Sequence, residues 1–451
     1  MRFAALITVA SVAVPSCTHP QPDRGQERDP SAAFPTAVFP LAVSADRRYV
    51  ADARGTPVLI QGDAAWSLMA KLRREDADAY LEDRRRRGFN AVIANLIEHK
   101  FAEHPPDNAY GEPPFTKPGD FRTPNEAYFE NVDWVLHRAA EKGIAVFLAP
   151  AYLGQNGGDE GFYQEVVAAG PDALRSYGAF VGRRYAAADN VVWVLGGDYT
   201  PPPEGMALER ALGEGLLSVA GKHHLVTAHW SAETSSQDID DPTIRGWLDL
   251  DATYTYRPVY EKSLADEHRP GALPHFLIET TYEHEHDSTP RLIRTQAYDA
   301  LLTGAVGQFL GNGGIWGFWS WRSELGSPGA TAMTHARRLF RDHRWTDLVP
   351  DDKNEVLTGG LGERGTNDWA VLARARDAAL ALAYIPTIRP VTIDMGKLLP
   401  GVEPRWYDPT SGVYTEAGRA TNEAARGPIT LEPPGKNAGG DGDWVLVIER
   451  P

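Results

Sequence analysis

One cysteine, Cys17, is all that the 451 residues contain. An intramolecular disulfide and a cysteine-built metal cluster are therefore excluded. Basic residues are in deficit: 45 Lys and Arg face 61 Asp and Glu, for a formal net charge of -16. That balance argues against a nucleic-acid backbone or an anionic membrane surface as partner. The apolar run at residues 3–14 is too short to span a bilayer permanently. The Gly-rich stretch at 152–158 lacks the GxxxxGK pattern of a phosphate cradle. Ser176, Ser218 and Ser320 have no GxSxG elbow, which disfavours a serine hydrolase. His284, Glu285, His286 and Asp287 do not form HExxH, so no metal and no cofactor are expected.

At the N-terminus, Arg2 precedes the apolar run and Pro15-Ser16-Cys17 follows it. Residues 1–17 read as an export signal. Cys17 is a candidate for the lipidated first residue of a bacterial lipoprotein held in the outer membrane, although Pro15 departs from that pattern. The expected location is exported, either periplasmic or at the cell surface. Residues 18–36, rich in Pro, Asp, Gln and Arg, read as an unfolded tether.

From 37 to 347 the chain alternates apolar strands with amphipathic helices. Strand candidates lie at 57–61, 91–97, 144–149, 191–195, 225–228, 247–256, 276–278 and 315–319. Eight such units that then stop predict a closed (β/α)8 TIM barrel rather than an open sheet. Residues 98–125 make an unusually long, polar βα loop, a length associated with function. After 347 the pattern becomes short strand-like runs with turn signals, and 348–451 reads as a small β-sandwich.

Two apolar strands end in acids: VVWVLGG before Asp198, and FLI before Glu279. Catalytic residues of a barrel collect at strand C-termini. Strands four and seven lie across the mouth from one another, so the two acids could flank one glycosidic bond. One would give a proton to the leaving oxygen; the other would meet the oxocarbenium ion. Glu283 competes with Glu279 and otherwise reads as a substrate contact. Asp63, Trp66, Asn95, His229, Trp230, Tyr254 and Tyr256 are further mouth candidates. Trp319 and Trp321, with Trp316 beside them, are candidates for stacking on a sugar face. An acid that ends a strand is often only a cap or a salt-bridge partner, so the residues alone leave two alternatives open. One is a carbohydrate-binding protein with a non-catalytic barrel; the other is a non-sugar hydrolase using the His/Glu-rich loop.

Taken in order, the early Gly62-Asp63-Ala64-Ala65-Trp66, Asn95 after strand two, Trp193 to Asp198, and Glu279-Thr280-Thr281-Tyr282-Glu283 resemble the apiosidase-like glycoside hydrolase family. That family often carries a C-terminal β domain of collagen-binding type. The resemblance covers roughly residue 38 to the end. It implies a (β/α)8 barrel that removes apiofuranose, or a similar terminal furanoside, from a plant or bacterial glycan. It also implies retention, with the strand-four acid as acid/base and the strand-seven glutamate as nucleophile, positions matched by Asp198 and Glu279. Many relatives have Pro where this chain has Thr280. The implied partner is an oligosaccharide or polysaccharide; no obligate protein partner is expected.

Overall fold

The computed structural model describes residues 34–220, 224–417 and 427–450. Cys17, the apolar run before it and most of the expected tether lie outside the described residues. Phe34 and Thr36, read from sequence as tether, instead lie against the barrel beside Gly88 and Gly143.

Eight parallel strands form the barrel: Ile60–Ala64, Ala91–Asn95, Ala145–Ala149, Val191–Gly196, Val226–His229, Asp251–Tyr254, His275–Glu279 and Gly307–Leu310. Strand eight pairs with strand one, Gly307 with Ile60 through Leu310 with Asp63. The ladder is continuous except between strands five and six. There Ser236 stands in for it: its hydroxyl accepts from the amides of Ala228 and Ala252 and donates to the Ala228 carbonyl. Helices cover the outside, among them Arg74–Arg86, Glu126–Glu141, Pro203–Ala220 and Pro290–Leu302.

Two strand assignments from sequence are corrected. Residues 57–58 belong to a small antiparallel sheet, and the first barrel strand starts at Ile60. Strand eight is 307–310, not 315–319. Gly313 and Gly314 precede the expected strand, and Phe318 within it is left-handed at φ 57°, so the aromatic run coils as a loop above strand eight.

Alternation along each strand decides what faces inward. Ile60, Ala64, Ile93, Phe147, Val192, Val194, Ala252, Tyr254, Phe276, Ile278 and Phe309 share the barrel interior. The intervening Val92, Val146, Trp193, Leu195 and Val226 pack on the helices. Phe147, Phe276 and Phe309 meet with ring centroids 5.0 to 5.8 Å apart and plug the barrel. Gly62 makes room for this plug, because a Cβ there would enter the Phe309 ring. The interior is thus a packed core, and any cleft must sit above it.

The C-terminal region is two antiparallel sheets, one of six strands and one of three. Alternation again sets the layers. Ala381, Ala383, Ile385, Leu446 and Ile448 face the smaller sheet through Leu357, Val391 and Ile393. Leu380, Leu382, Tyr384, Val445 and Val447 face the barrel helices through Tyr298, Leu301, Leu339 and Phe340. One sheet therefore serves two cores. A buried ion pair crosses the junction: Arg294 donates through Nε and Nη2 to the Asp443 carboxylate, each at 2.7 Å. Tyr384 and Asn437 also donate to Asp443, at 2.9 Å each, so the charge is not left bare.

Candidate active site

Above the phenylalanine plug opens a cleft of about 520 Å³, lined by Asp198, Glu279, Trp66, Asn95, Tyr152 and Tyr256. Lys100, Phe101, Gln155, Glu160, Tyr282, His284, Glu285, Gly313 and Trp316 complete the wall. It lies at the C-terminal ends of the strands.

Local backbone irregularities aim both acids. In strand seven, Phe276 and Ile278 face inward, so strict alternation would turn Glu279 outward. The pairing with strand six slips here: Thr253 opposes Leu277, but Tyr254 opposes Glu279. That bulge inserts one residue and redirects the carboxyl into the cleft. In strand four, Gly196, Gly197 and Asp198 all have positive φ, at 79°, 128° and 55°. A Cβ on Gly196 would strike His229 and Trp230, and one on Gly197 would strike Tyr152. The double glycine lets the chain turn tightly enough to deliver Asp198.

His229 links the two. Its Nδ1 accepts from the Asp198 amide at 3.1 Å. The ring proton therefore sits on Nε2, which lies 2.8 Å from Glu279 Oε2. That contact is bent away from the straight N–H direction, so it is chiefly electrostatic. The imidazole is clamped between Trp66, stacked at 5.5 Å, and Tyr254 at 4.9 Å. Trp66 Nε1 donates to the Tyr282 hydroxyl at 2.9 Å, and Glu279 stands close enough to that hydroxyl to raise it. The Tyr254 hydroxyl lies beside Asp198 and favours its charged form. Burial, and then the neighbouring Glu279 charge, push the Asp198 carboxyl up to about 7. Burial, and then the same two acids, hold the Tyr152 hydroxyl far above its ordinary range.

The structure brings Asp198, Glu279, Trp66, Asn95, His229, Tyr254 and Tyr256 together. It separates the rest. Asp63 lies between inward Gly62 and Ala64, so it points outward; Tyr80 and Arg84 donate to its Oδ2 at 2.5 and 3.2 Å. Glu283 is buried off the cleft. Its carboxylate accepts from Ser327 Oγ at 2.5 Å, Gly329 N at 2.6 Å and Asn312 Nδ2 at 3.0 Å, capping the helix Pro328–Asp342. Trp230 is core, its Nε1 donating to the Ser236 carbonyl at 3.2 Å. Trp321 is buried against Tyr80 and Phe318. Trp319 is 54% exposed at the rim, edge-on to Trp316 at 4.4 Å.

Sequence reasoning missed Tyr152, Gln155, Glu160, Lys100 and Phe101. All are carried by loops after strands two and three, and only the length of the first loop signals it. Glu98 anchors that loop: buried, it accepts from the Phe101 amide at 3.4 Å. In the 284–287 segment, His284 turns to Glu324 at 2.9 Å, while Glu285 accepts from the Tyr282 amide at 2.9 Å. Among the described residues, no group of three or more His, Cys, Asp and Glu side chains could hold a metal ion. Thr280, where many relatives have Pro, meets the side-chain amide of Gln296 at 2.9 Å.

A (β/α)8 barrel with paired carboxyl groups over an aromatic cleft has glycoside hydrolase architecture, and solved structures agree on the fold. A glycoside hydrolase family 5 protein from Bacteroides vulgatus superposes with TM-score 0.79 at 22% identity, over 92% of this chain and 95% of that one. A second structure, titled glycoside hydrolase, gives 0.77 at 23% identity, over 92% and 98%. Residues 44–347 match the family model described as "Apiosidase-like, catalytic domain"; the chain belongs to that family and is a glycosidase. Residues 352–449 match the model described as "Putative collagen-binding domain of a collagenase". No curated protein matches significantly.

Two outcomes are expected. With Asp198 as the expected proton donor, activity should fall about tenfold per pH unit as pH rises through about 7, where its raised carboxyl loses its proton. A kcat/KM profile on a cleaved aryl glycoside checks this; a flat profile to pH 9 defeats it. Glu283→Ala lowers stability by about 2–3 kcal/mol, since it removes three hydrogen bonds to a buried carboxylate. Turnover of the folded fraction changes little, as urea unfolding and steady-state kinetics would show.

Proposed function

We propose that the enzyme removes a terminal neutral sugar of apiofuranose type from a plant or bacterial glycan, with retention. Asp198 serves as acid/base and Glu279 as nucleophile. The observation that carries this reading is the difference between the two carboxyl groups. Asp198 is raised to about 7 and so still holds a proton near neutral pH. Glu279 has His229 Nε2 2.8 Å from its carboxylate and the Tyr282 hydroxyl close by. Asp198 protonates the glycosidic oxygen as the C1–O bond breaks, and Glu279 bonds to C1. Asp198 then takes a proton from water, which attacks C1 and releases Glu279.

The cleft supports a neutral substrate. Asp198, Glu279, Glu160 and Glu285 outnumber Lys100, whose ammonium is already engaged by Asp159 at 2.9 Å. A uronate would meet like charge there. Trp319, exposed beside Trp316, suits stacking on the leaving-group side. The apolar run before Cys17 supports an exported enzyme, with Cys17 as the residue to carry a lipid anchor.

Asp198→Asn and Glu279→Gln should each cut kcat on an aryl furanoside by about a thousandfold or more while the fold is retained by circular dichroism. Near-normal turnover in either variant would overturn the assignment and favour a non-catalytic sugar-binding barrel. Trp319→Ala should raise KM on an oligosaccharide about tenfold, the value of one stacked ring, and leave the aryl furanoside unaffected. Equal effects on both substrates would remove Trp319 from the leaving-group side.

A further inference from the structure

We propose that Glu209, a buried residue outside the cleft, is a positioning residue that fixes the turn carrying Asp198. The inference rests on Asp198 being the acid/base. Strand four ends in three consecutive left-handed residues, the last of them not glycine. A non-glycine residue in that region costs on the order of 1–3 kcal/mol and persists only where its surroundings over-determine it. Here three successive amides each have their own acceptor. Gly196 N donates to Glu209 Oε2 at 3.1 Å. Gly197 N donates to the His229 carbonyl at 2.7 Å, and Asp198 N to His229 Nδ1 at 3.1 Å. The last two anchors come from the neighbouring strand. The first comes from helix Pro203–Ala220, packed behind the barrel.

Gly196 needs that outside acceptor. Strand four pairs with strand five as far as Gly196 with His229, but with strand three no further than Leu148 with Trp193, so the amide at 196, which faces strand three, lies beyond that ladder. Without Glu209 a buried N–H would go unpaired. Packing alone would place an apolar side chain at 209. Its helix neighbours Leu212 and Leu216 are buried core, and Glu209 itself is only 2% exposed, with Oε1 unpartnered. A carboxyl in such a place is costly to keep. Burial raises it to about 7, so near neutral pH its acceptor role does not require a full charge. A glutamine should therefore substitute, and a leucine should not.

The test compares Glu209→Leu, Glu209→Gln and the parent enzyme. One readout is the titration of the Asp198 carboxyl carbon by ¹³C NMR, assigned with Asp198→Asn. The other is steady-state kinetics on an aryl furanoside. In Glu209→Leu the Asp198 midpoint should move by about one pH unit or more. Its kcat should fall about tenfold or more, with KM within about threefold, the signature of a displaced catalytic group. Glu209→Gln should restore both readouts. If Glu209→Leu does not fold, Glu209→Met, which also lacks an acceptor, takes its place. A folded apolar variant with an unchanged Asp198 titration overturns the proposal, as does a Gln variant as impaired as the Leu variant. If instead Asp198→Asn stays active, the acid assignment fails, and the titration still decides whether Glu209 sets the Asp198 environment.

Discussion

A single imidazole ties the two acids into one site. His229 uses one nitrogen to hold the backbone under Asp198 and turns the other toward the Glu279 carboxylate. Because Nδ1 must accept, the tautomer is fixed, and the ring cannot reorient without releasing the strand-four turn. Trp66 and Tyr254 clamp its faces, and their own polar atoms reach Tyr282 and Asp198. Polar atoms of His229, Tyr282 and Tyr254 thus form a ring around two carboxyl groups that would otherwise repel each other freely. Burial and the remaining repulsion together hold the Asp198 carboxyl up at about 7.

That ring stands on an apolar floor. Three phenylalanines fill the barrel beneath it, and the glycine at 62 admits one of them. Closing the interior has two effects. It keeps water from entering the site from below, which strengthens the electrostatics that raise Asp198. It also leaves only the strand ends and the loops free to carry polar chemistry. Strand alternation alone would send Glu279 outward; one inserted residue in the ladder corrects its direction.

The eight-strand rhythm and the acids ending strands four and seven were legible in the sequence, because buried parallel strands read as short apolar runs with abrupt ends. The small sheets of the C-terminal region were legible through their turns. The direction of side chains near irregular backbone was not. Asp63 looked like a strand terminus; placing the strand's start three residues later makes it an outward residue held by Arg84. Glu283 shares the segment of Glu279 but leaves the cleft to cap a helix some forty residues on, a contact no local pattern announces. The aromatic run at 315–319 imitates a strand in composition, while Phe318 in the left-handed region shows that it cannot be one. Tyr152, Lys100 and Glu160 sit on loops whose paths depend on tertiary contacts.

The six-stranded sheet has consequences for anyone wishing to trim the protein. It presents one apolar surface to its partner sheet and the other to helices Pro290–Leu302 and Pro328–Asp342. Those helices follow the strands that bear Glu279 and close the barrel. Cutting the chain after residue 347 would strip a wall of Tyr298, Leu301, Leu339 and Phe340 bare and leave the Arg294 guanidinium without its counter-ion. The C-terminal module is thus a buttress shared with the catalytic half, not an accessory that can be detached from it.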